Sequence, residues 1–389
     1  MGQVQDVEDK SMVSRRNELM KITLISNDIS TNDLPRIYCF YSILRKHYDV
    51  EVMGACFGEG PYPIFDRAFP LKSYPGGWFP RFFRSVRAMV KDISGDVIIP
   101  DNYQFSSFGV AMLKKVISGK PVILGLSDYQ RGLFSAWSKQ SKKELLLDSN
   151  SLLYTVLMEK MIRYADEVLA SSTFLMKKFG GVYLPHGRDT DALDPNKING
   201  DYLREKYELG NKKVIIFCGK PTEHTNLDAV LDAMELLNRD DICILLVGAN
   251  PHGEYEKRLL RKGGRWLKMI GLRPWKEVPY FLDMGDLVVL PQKDTPFTQA
   301  YTPAKMFEAM AMAKPIIATR ISDMPEILKD CGIIVKVDEI GELADAIEKV
   351  LSSPDEAAEM GRRARHRCIE KYSWRSMERT LLKVLKKYE

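Results

Sequence analysis

No stretch of this chain approaches the run of about 18 apolar residues that a membrane-crossing helix needs, so none is expected. Cysteine is sparse and unpatterned: Cys39, Cys56, Cys218, Cys243, Cys331 and Cys368 show no C-x-x-C spacing. Several lie inside apolar runs, which predicts buried thiols in a reducing cytoplasm rather than disulfides or a metal site. The segment from Met1 to Arg16 is polar and charged without an apolar core, which argues against a secretory signal and predicts a disordered tail over 1–18. No Ser-His-Asp or Cys-His arrangement stands out as a unit, and no carboxylate pair is spaced for acid–base work. Neither an aromatic-basic sheet motif nor a helix-turn-helix pattern is present, so nucleic acid is not an expected partner.

What is there suits two domains with separate cores: 389 residues, 45% hydrophobic and 28% charged. The net charge of +5 is modest but unevenly spread. Between Trp78 and Lys91, Arg81, Arg84, Arg87 and Lys91 recur at helical spacing, with Phe79, Phe82, Phe83, Val86 and Val90 toward the other side. Such a basic amphipathic helix either lies on an anionic membrane surface or packs its apolar side on the domain core.

Short apolar runs alternate with helical segments along the whole chain. Lys21 to Ser26, Val50 to Met53, Asp96 to Pro100, Pro121 to Leu126, Glu167 to Ala170 and Val182 to Leu184 read as strands of the first half. Helices are expected over Pro35 to Tyr48, Phe105 to Ser118 and Ser151 to Ala165. In the second half the strands are Lys213 to Cys218, Ile242 to Val247, Trp266 to Ile270, Leu287 to Leu290 and Ile316 to Ala318. Leu227, Val230, Leu231, Met234 and Leu237 mark one face of a helix between the first two. Strands alternating with helices imply α/β architecture with parallel, doubly wound sheets in two Rossmann-like halves.

The densest information lies between Gln299 and Thr319. Thr302 is placed to cap a helix with Pro303 at its first position, and helix formers follow to Ala313. Lys314-Pro315 ends it, and Pro315-Ile316-Ile317-Ala318-Thr319 is a buried strand. The helix aims its free N–H groups at the preceding loop, with Lys305 near that end and Glu308 farther in. An N-terminus plus a lysine can hold a diphosphate, and a carboxylate can accept sugar hydroxyls.

This segment resembles the signature of retaining GT-B glycosyltransferases of family 4, the glycosyl transferases group 1. The resemblance rests on Phe307-Glu308-Ala309-Met310-Ala311-Met312-Ala313-Lys314-Pro315-Ile316-Ile317-Ala318-Thr319, continued by Asp323-Met324-Pro325-Glu326-Ile327 and Cys331-Gly332-Ile333-Ile334-Val335. Val278 to Pro291 also matches the family. Leu184-Pro185-His186-Gly187-Arg188-Asp189 is similar to its hinge, with His186 for the usual Asn and Arg188 for the usual apolar residue.

The resemblance implies two Rossmann-like domains with parallel sheets facing across a cleft. It gives an acceptor-binding domain over 19–188, joined by a C-terminal helix over 374–389, and a nucleotide-sugar-binding domain over 195–372. Gly219-Lys220 stands where the family usually has Gly-Arg gripping the donor diphosphate, so Lys220 and Lys305 would neutralise the leaving group. The family's second basic residue falls on Thr225, beside His224. Glu308 would bind the ribose, and backbone at Leu272 and Arg273 would meet the nucleobase. Gln299 and its neighbour Thr298 would take over sugar contacts, Tyr301 would bind substrate, and the helix N-terminus at Thr302 would join the lysines at the diphosphate. The family's first paired glutamate is here Ala300; a subset sharing Pro303-Ala304-Lys305-Met306-Phe307-Glu308 also lacks it. Asp128, after a buried strand, is either an acceptor-side base or a loop-capping aspartate. The basic segment Arg131 to Lys143 would cover an anionic acceptor.

Asp189-Thr190-Asp191 imitates a metal motif but falls at the hinge, so no metal and no cofactor is expected. The expected activity is transfer from a UDP- or GDP-hexose to a glycan or lipid-linked hydroxyl, with retention, in the cytoplasm, with peripheral contact at the inner membrane face through 78–91. A nucleotide-sugar epimerase on the same fold and a non-catalytic nucleotide-sugar-binding subunit remain as alternatives.

Overall fold

The computed structural model describes residues 19–62, 70–137 and 140–389, and the expected tail over 1–18 lies outside them. The chain divides into two compact units. One takes residues up to 171 with 175–184 and 378–389; the other takes 172–174 and 185–377.

The first unit carries β1 (Lys21–Ser26), β2 (Asp49–Cys56), β3 (Leu71–Pro75) and β4 (Val97–Pro100), followed by β5 (Ile123–Leu126), β6 (Glu167–Ala170) and β7 (Val182–Tyr183). The first four form a parallel sheet in the order β3-β2-β1-β4, and the last three a parallel sheet in the order β5-β6-β7. Single bridges, Ile98 to Val122 and Asp101 to Gly125, connect the β4 and β5 segments. β1, β4 and β5 are almost wholly buried, as parallel strands covered on both faces must be. β3 was not expected: it is an edge strand with most of its residues exposed or half-buried, so it lacks the apolar run that marks the others.

The second unit carries β8 (Lys213–Cys218), β9 (Ile242–Val247), β10 (Leu267–Ile270), β11 (Leu287–Leu290), β12 (Ile316–Thr319) and β13 (Ile333–Val335) in one parallel sheet, ordered β10-β9-β8-β11-β12-β13. Side chains alternate across it. Val214, Ile216, Leu245, Val247, Val288 and Leu290 face one core with the helix Ala304–Ala311. Ile215, Phe217, Ile244, Leu246, Leu287 and Val289 face the other, with the helices Leu227–Leu237 and Ile340–Ser352. The winding reverses between β8 and β11, which are direct neighbours. In open α/β sheets, ligands bind beyond the carboxyl ends of the strands at such a reversal.

The basic amphipathic segment forms the helix Phe82–Asp92. Phe82, Val86 and Met89 are buried on the unit's own core, while Arg81, Arg84, Arg87 and Lys91 are exposed. Two aromatics keep much of their surface exposed: Phe83, 58% exposed although its ring stands 4.5 Å from that of Phe79, and Trp78, 42% exposed. Among the described residues no helix is long and apolar enough to cross a membrane.

Candidate functional site

β8 ends at Cys218, and Gly219 turns the chain with φ of +127°, a region that side-chain-bearing residues rarely adopt. A Cβ built on Gly219 would lie 3.1 Å from Lys305 Nζ, so this backbone and that ammonium are in close approach. Lys305 comes from the helix Ala304–Ala311, in the first turn after the β11 loop, and its Nζ stands 3.7 Å from the centroid of the Phe217 ring. Burial holds its pKa down to about 8, with Glu308 and Cys218 pulling the other way. Burial, and behind it the Lys305 charge, lowers His224 to about 4, so that imidazole is neutral near pH 7.

Thr302 is not the helix cap. Pro303 occupies that place in extended conformation, with no side-chain cap, and the helix starts at Ala304. Thr302 is fully buried, its hydroxyl 3.5 Å from that of Ser322. The opening amides are therefore left without a side-chain acceptor from the cap position.

The stretch before it, read as loop, contains the short helix Pro296–Ala300. Thr295 caps it: its hydroxyl accepts the Thr298 N–H at 3.1 Å, and the Thr298 hydroxyl accepts the Thr295 N–H at 2.9 Å. The signal was present as Thr295-Pro296-Phe297-Thr298, a capping box with proline at the first helical position. Gln299 turns its amide to Asp294 at 2.7 Å. Tyr301 stacks on Phe297 with centroids 5.2 Å apart, and the His224 ring stands edge-on to both. The Ala300 carbonyl accepts the Ser172 hydroxyl at 2.8 Å, and Thr173 donates both its N–H and its hydroxyl to the Asp323 carboxylate.

Glu308 lies one turn beyond Lys305 and is paired with Arg188. Both Nε and Nη2 of the guanidinium reach Oε1 at 3.0 Å. That partner was not anticipated, although Arg188 stood out as a charged residue where the hinge resemblance has an apolar one. Lys220 is exposed and makes no ion pair among the described residues. Leu272, exposed, and Arg273 sit on the loop after β10, at the same carboxyl end of the parallel strands as Gly219. Arg273 also borders a cavity of about 550 Å³ with Lys206, Tyr207, Lys268 and Met269, which contains none of the other expected site residues.

Asp128 belongs to the first unit, and the two lysines belong to the second. It follows β5 and is tied to Asn102, whose side-chain oxygen accepts the N–H groups of Ser127 and Asp128 at 2.9 and 3.1 Å. Burial first, then the charge of Asp33, pushes Asp128 up to about 7, with Arg36 and Asn102 opposing. Burial raises Asp101 to about 8 although Arg36 stands 3.5 Å away. Asp189 spends a carboxylate oxygen on the N–H groups of Asp191 and Ala192, and Asp191 pairs with Arg375. Among the described residues no group of three His, Cys, Asp or Glu side chains is placed to hold a metal ion.

Residues 212–353 match the family described as Glycosyl transferases group 1. The chain is 25% identical, over 237 residues, to the GDP-mannose-dependent alpha-(1-6)-phosphatidylinositol monomannoside mannosyltransferase of Mycolicibacterium smegmatis, covering 57% of this chain and 62% of that one. It is 26% identical over 177 residues to the alpha-D-kanosaminyltransferase of Streptomyces kanamyceticus, covering 44% and 45%. These matches therefore span about half to three fifths of the relatives' length. Among solved structures, Anabaena Alr3699/HepE in complex with UDP and glucose superposes with a TM-score of 0.73 at 18% identity, covering 94% of this chain and 99% of that one. Sucrose-phosphate synthase from Thermosynechococcus elongatus gives 0.72 at 14%, covering 95% and 98%. At such identities the likeness establishes the fold. The similarity to the glycosyl transferases group 1 thus lies in residues 212–353, and the chain takes the GT-B fold of two Rossmann-like domains.

Proposed function

We propose that the chain moves a sugar from a nucleotide diphosphate sugar, a UDP- or GDP-hexose, to a hydroxyl of a glycan or lipid-linked acceptor, with retention of configuration. The observation that carries this reading is the Lys305 ammonium set against the Gly219 backbone where the second sheet reverses its winding. Breaking the sugar–phosphate bond leaves its electron pair on the diphosphate, and fixed positive charge there lowers the barrier. Lys305, exposed Lys220 and the uncapped amides of the Ala304–Ala311 helix supply that charge, so the reading needs no metal ion. Glu308 accepts ribose hydroxyls, Leu272 and Arg273 border the base, and Gln299 and Tyr301 flank the sugar. Asp128, with its pKa near 7, takes the proton of the attacking hydroxyl on the acceptor side. The first unit holds the acceptor and residues 185–377 the donor, and the protein works at the cytoplasmic membrane face.

A relative named as GDP-mannose-dependent and a structural neighbour solved with UDP define the panel to test. Release of UDP or GDP from nucleotide hexoses is measured with and without lipid-linked acceptors, in excess EDTA. The expected result is acceptor-dependent release that survives the chelator. Donor interconversion without acceptor points to an epimerase, and binding without turnover to a non-catalytic subunit. A rate that collapses in EDTA and returns with Mg²⁺ removes the metal-free assignment.

A further inference from the structure

Arg188 and Glu308 are 120 residues apart in sequence and meet side on, with two guanidinium nitrogens converging on a single carboxylate oxygen. The other oxygen, Oε2, accepts no hydrogen bond among the described residues. Both side chains are mostly buried, at 16% and 15% exposure. Arg188 is itself held at three points. Its N–H donates to the Tyr372 carbonyl at 2.9 Å, its carbonyl accepts the Trp374 N–H at 2.8 Å, and Nη1 donates to the Gly187 carbonyl at 2.9 Å. Gly187 packs closely on Met377, where an added Cβ would lie 2.4 Å from Sδ. The guanidinium is thus a fixed clamp reaching the helix of Glu308 from a separate segment.

A carboxylate has lone pairs on both oxygens, and planar guanidinium donors set its orientation. Here Oε1 is used up by the protein and Oε2 is left for a ligand. We infer that Arg188 is a positioning residue for nucleotide recognition: it fixes the Glu308 carboxylate so that Oε2 alone addresses the hydroxyls of the donor ribose. This rests on the reading of Glu308 as the ribose ligand. An unclamped glutamate would turn among rotamers and offer either oxygen, at a cost in ribose discrimination. Lysine in place of arginine would keep the charge but not the pair of donors.

The test is a double-mutant cycle on full-length protein, read by calorimetry with UDP and GDP and their 2′-deoxy and 3′-deoxy forms. The quantity is the ratio of ribo to deoxy affinity, which a loss of general stability does not move. Glu308→Gln should lower the ratio roughly tenfold, the scale of one hydrogen bond to a charged group. Arg188→Val and Arg188→Lys should each lower it several-fold, and neither should lower it further in the Glu308→Gln background. Should Arg188→Val fail to fold, Arg188→Lys decides alone. If Glu308→Gln lowers the ratio and the Arg188 variants leave it unchanged, the positioning role is overturned while the ribose reading stands. If Glu308→Gln leaves the ratio unchanged, or neither nucleotide binds, the ribose reading fails and the inference with it.

Discussion

The Lys305 ammonium lies over the face of the Phe217 ring, at 3.7 Å from its centroid, and a Cβ built on Gly219 would come within 3.1 Å of it. An aromatic face attracts a cation but does not replace its hydration, so the charge is kept at a cost and its pKa drops to about 8. A diphosphate arriving at Gly219 would supply the missing counter-charge.

From this follows a pH dependence. In the free protein Lys305 loses its proton as pH rises through about 8, against an ordinary value of 10.5. Between those values the unfolded chain binds more protons, so this lysine makes stability rise with pH there. Nucleoside diphosphate binding, which needs the charged form, should instead weaken from pH 7 to pH 9.5 and take up a proton near pH 8.5. Calorimetry in buffers of different ionisation heat reads that uptake. Lys305→Ala should abolish it and weaken diphosphates by about 1.5–3 kcal/mol while sparing nucleosides. Equal loss for both ligands would remove the lysine from the diphosphate site.

Asp128 gives the opposite sign. Its folded pKa near 7 exceeds the ordinary 3.8, so between those values the folded protein binds more protons. Stability from this group is then largest at low pH and lost as pH rises through about 7. Asp128→Asn should stabilise the fold more at pH 8 than at pH 5, the difference being roughly 1–3 kcal/mol. Urea melts at the two pH values measure it, and a difference of zero would mean that Asp128 is an ordinary solvated carboxylate.

The membrane expectation now has a narrower basis. The apolar side of the Phe82–Asp92 helix is largely spent on the core, leaving Phe83 and Trp78 beside Arg81, Arg84 and Arg87. Each basic residue near an anionic leaflet contributes about 1 kcal/mol. Changing the three arginines to Glu should abolish co-sedimentation with anionic vesicles, and salt should weaken the wild-type interaction as charges are screened over about 8–10 Å. Wild-type protein that stays in the supernatant at low salt would leave this helix as core packing alone.

How much was legible depended on what each feature answers to. β8, β9 and β11 could be read from Lys213 to Cys218, Ile242 to Val247 and Leu287 to Leu290, because burial on both faces forces unbroken apolar runs. β3 could not, since Leu71–Pro75 pairs along one edge and its side chains are mostly uncovered. The start of the Ala304–Ala311 helix was misplaced by one residue because Thr302 is a good cap in isolation. Its burial against Ser322 is a tertiary fact. Lys305 and Glu308 were visible as residues, but not the Phe217 ring beneath one or the Arg188 clamp on the other. Those pairings join segments that local pattern does not relate.

Ser172 and Thr173 bear on any attempt to dissect the protein. A fragment beginning at Pro185 would contain every residue proposed above for the donor side, yet it would omit these two. The Ala300 carbonyl would then lose the Ser172 hydroxyl, and Asp323 the two donors of Thr173. Weak nucleotide affinity in such a fragment would therefore report a missing support three residues long, and the intact chain is the proper material for every binding measurement.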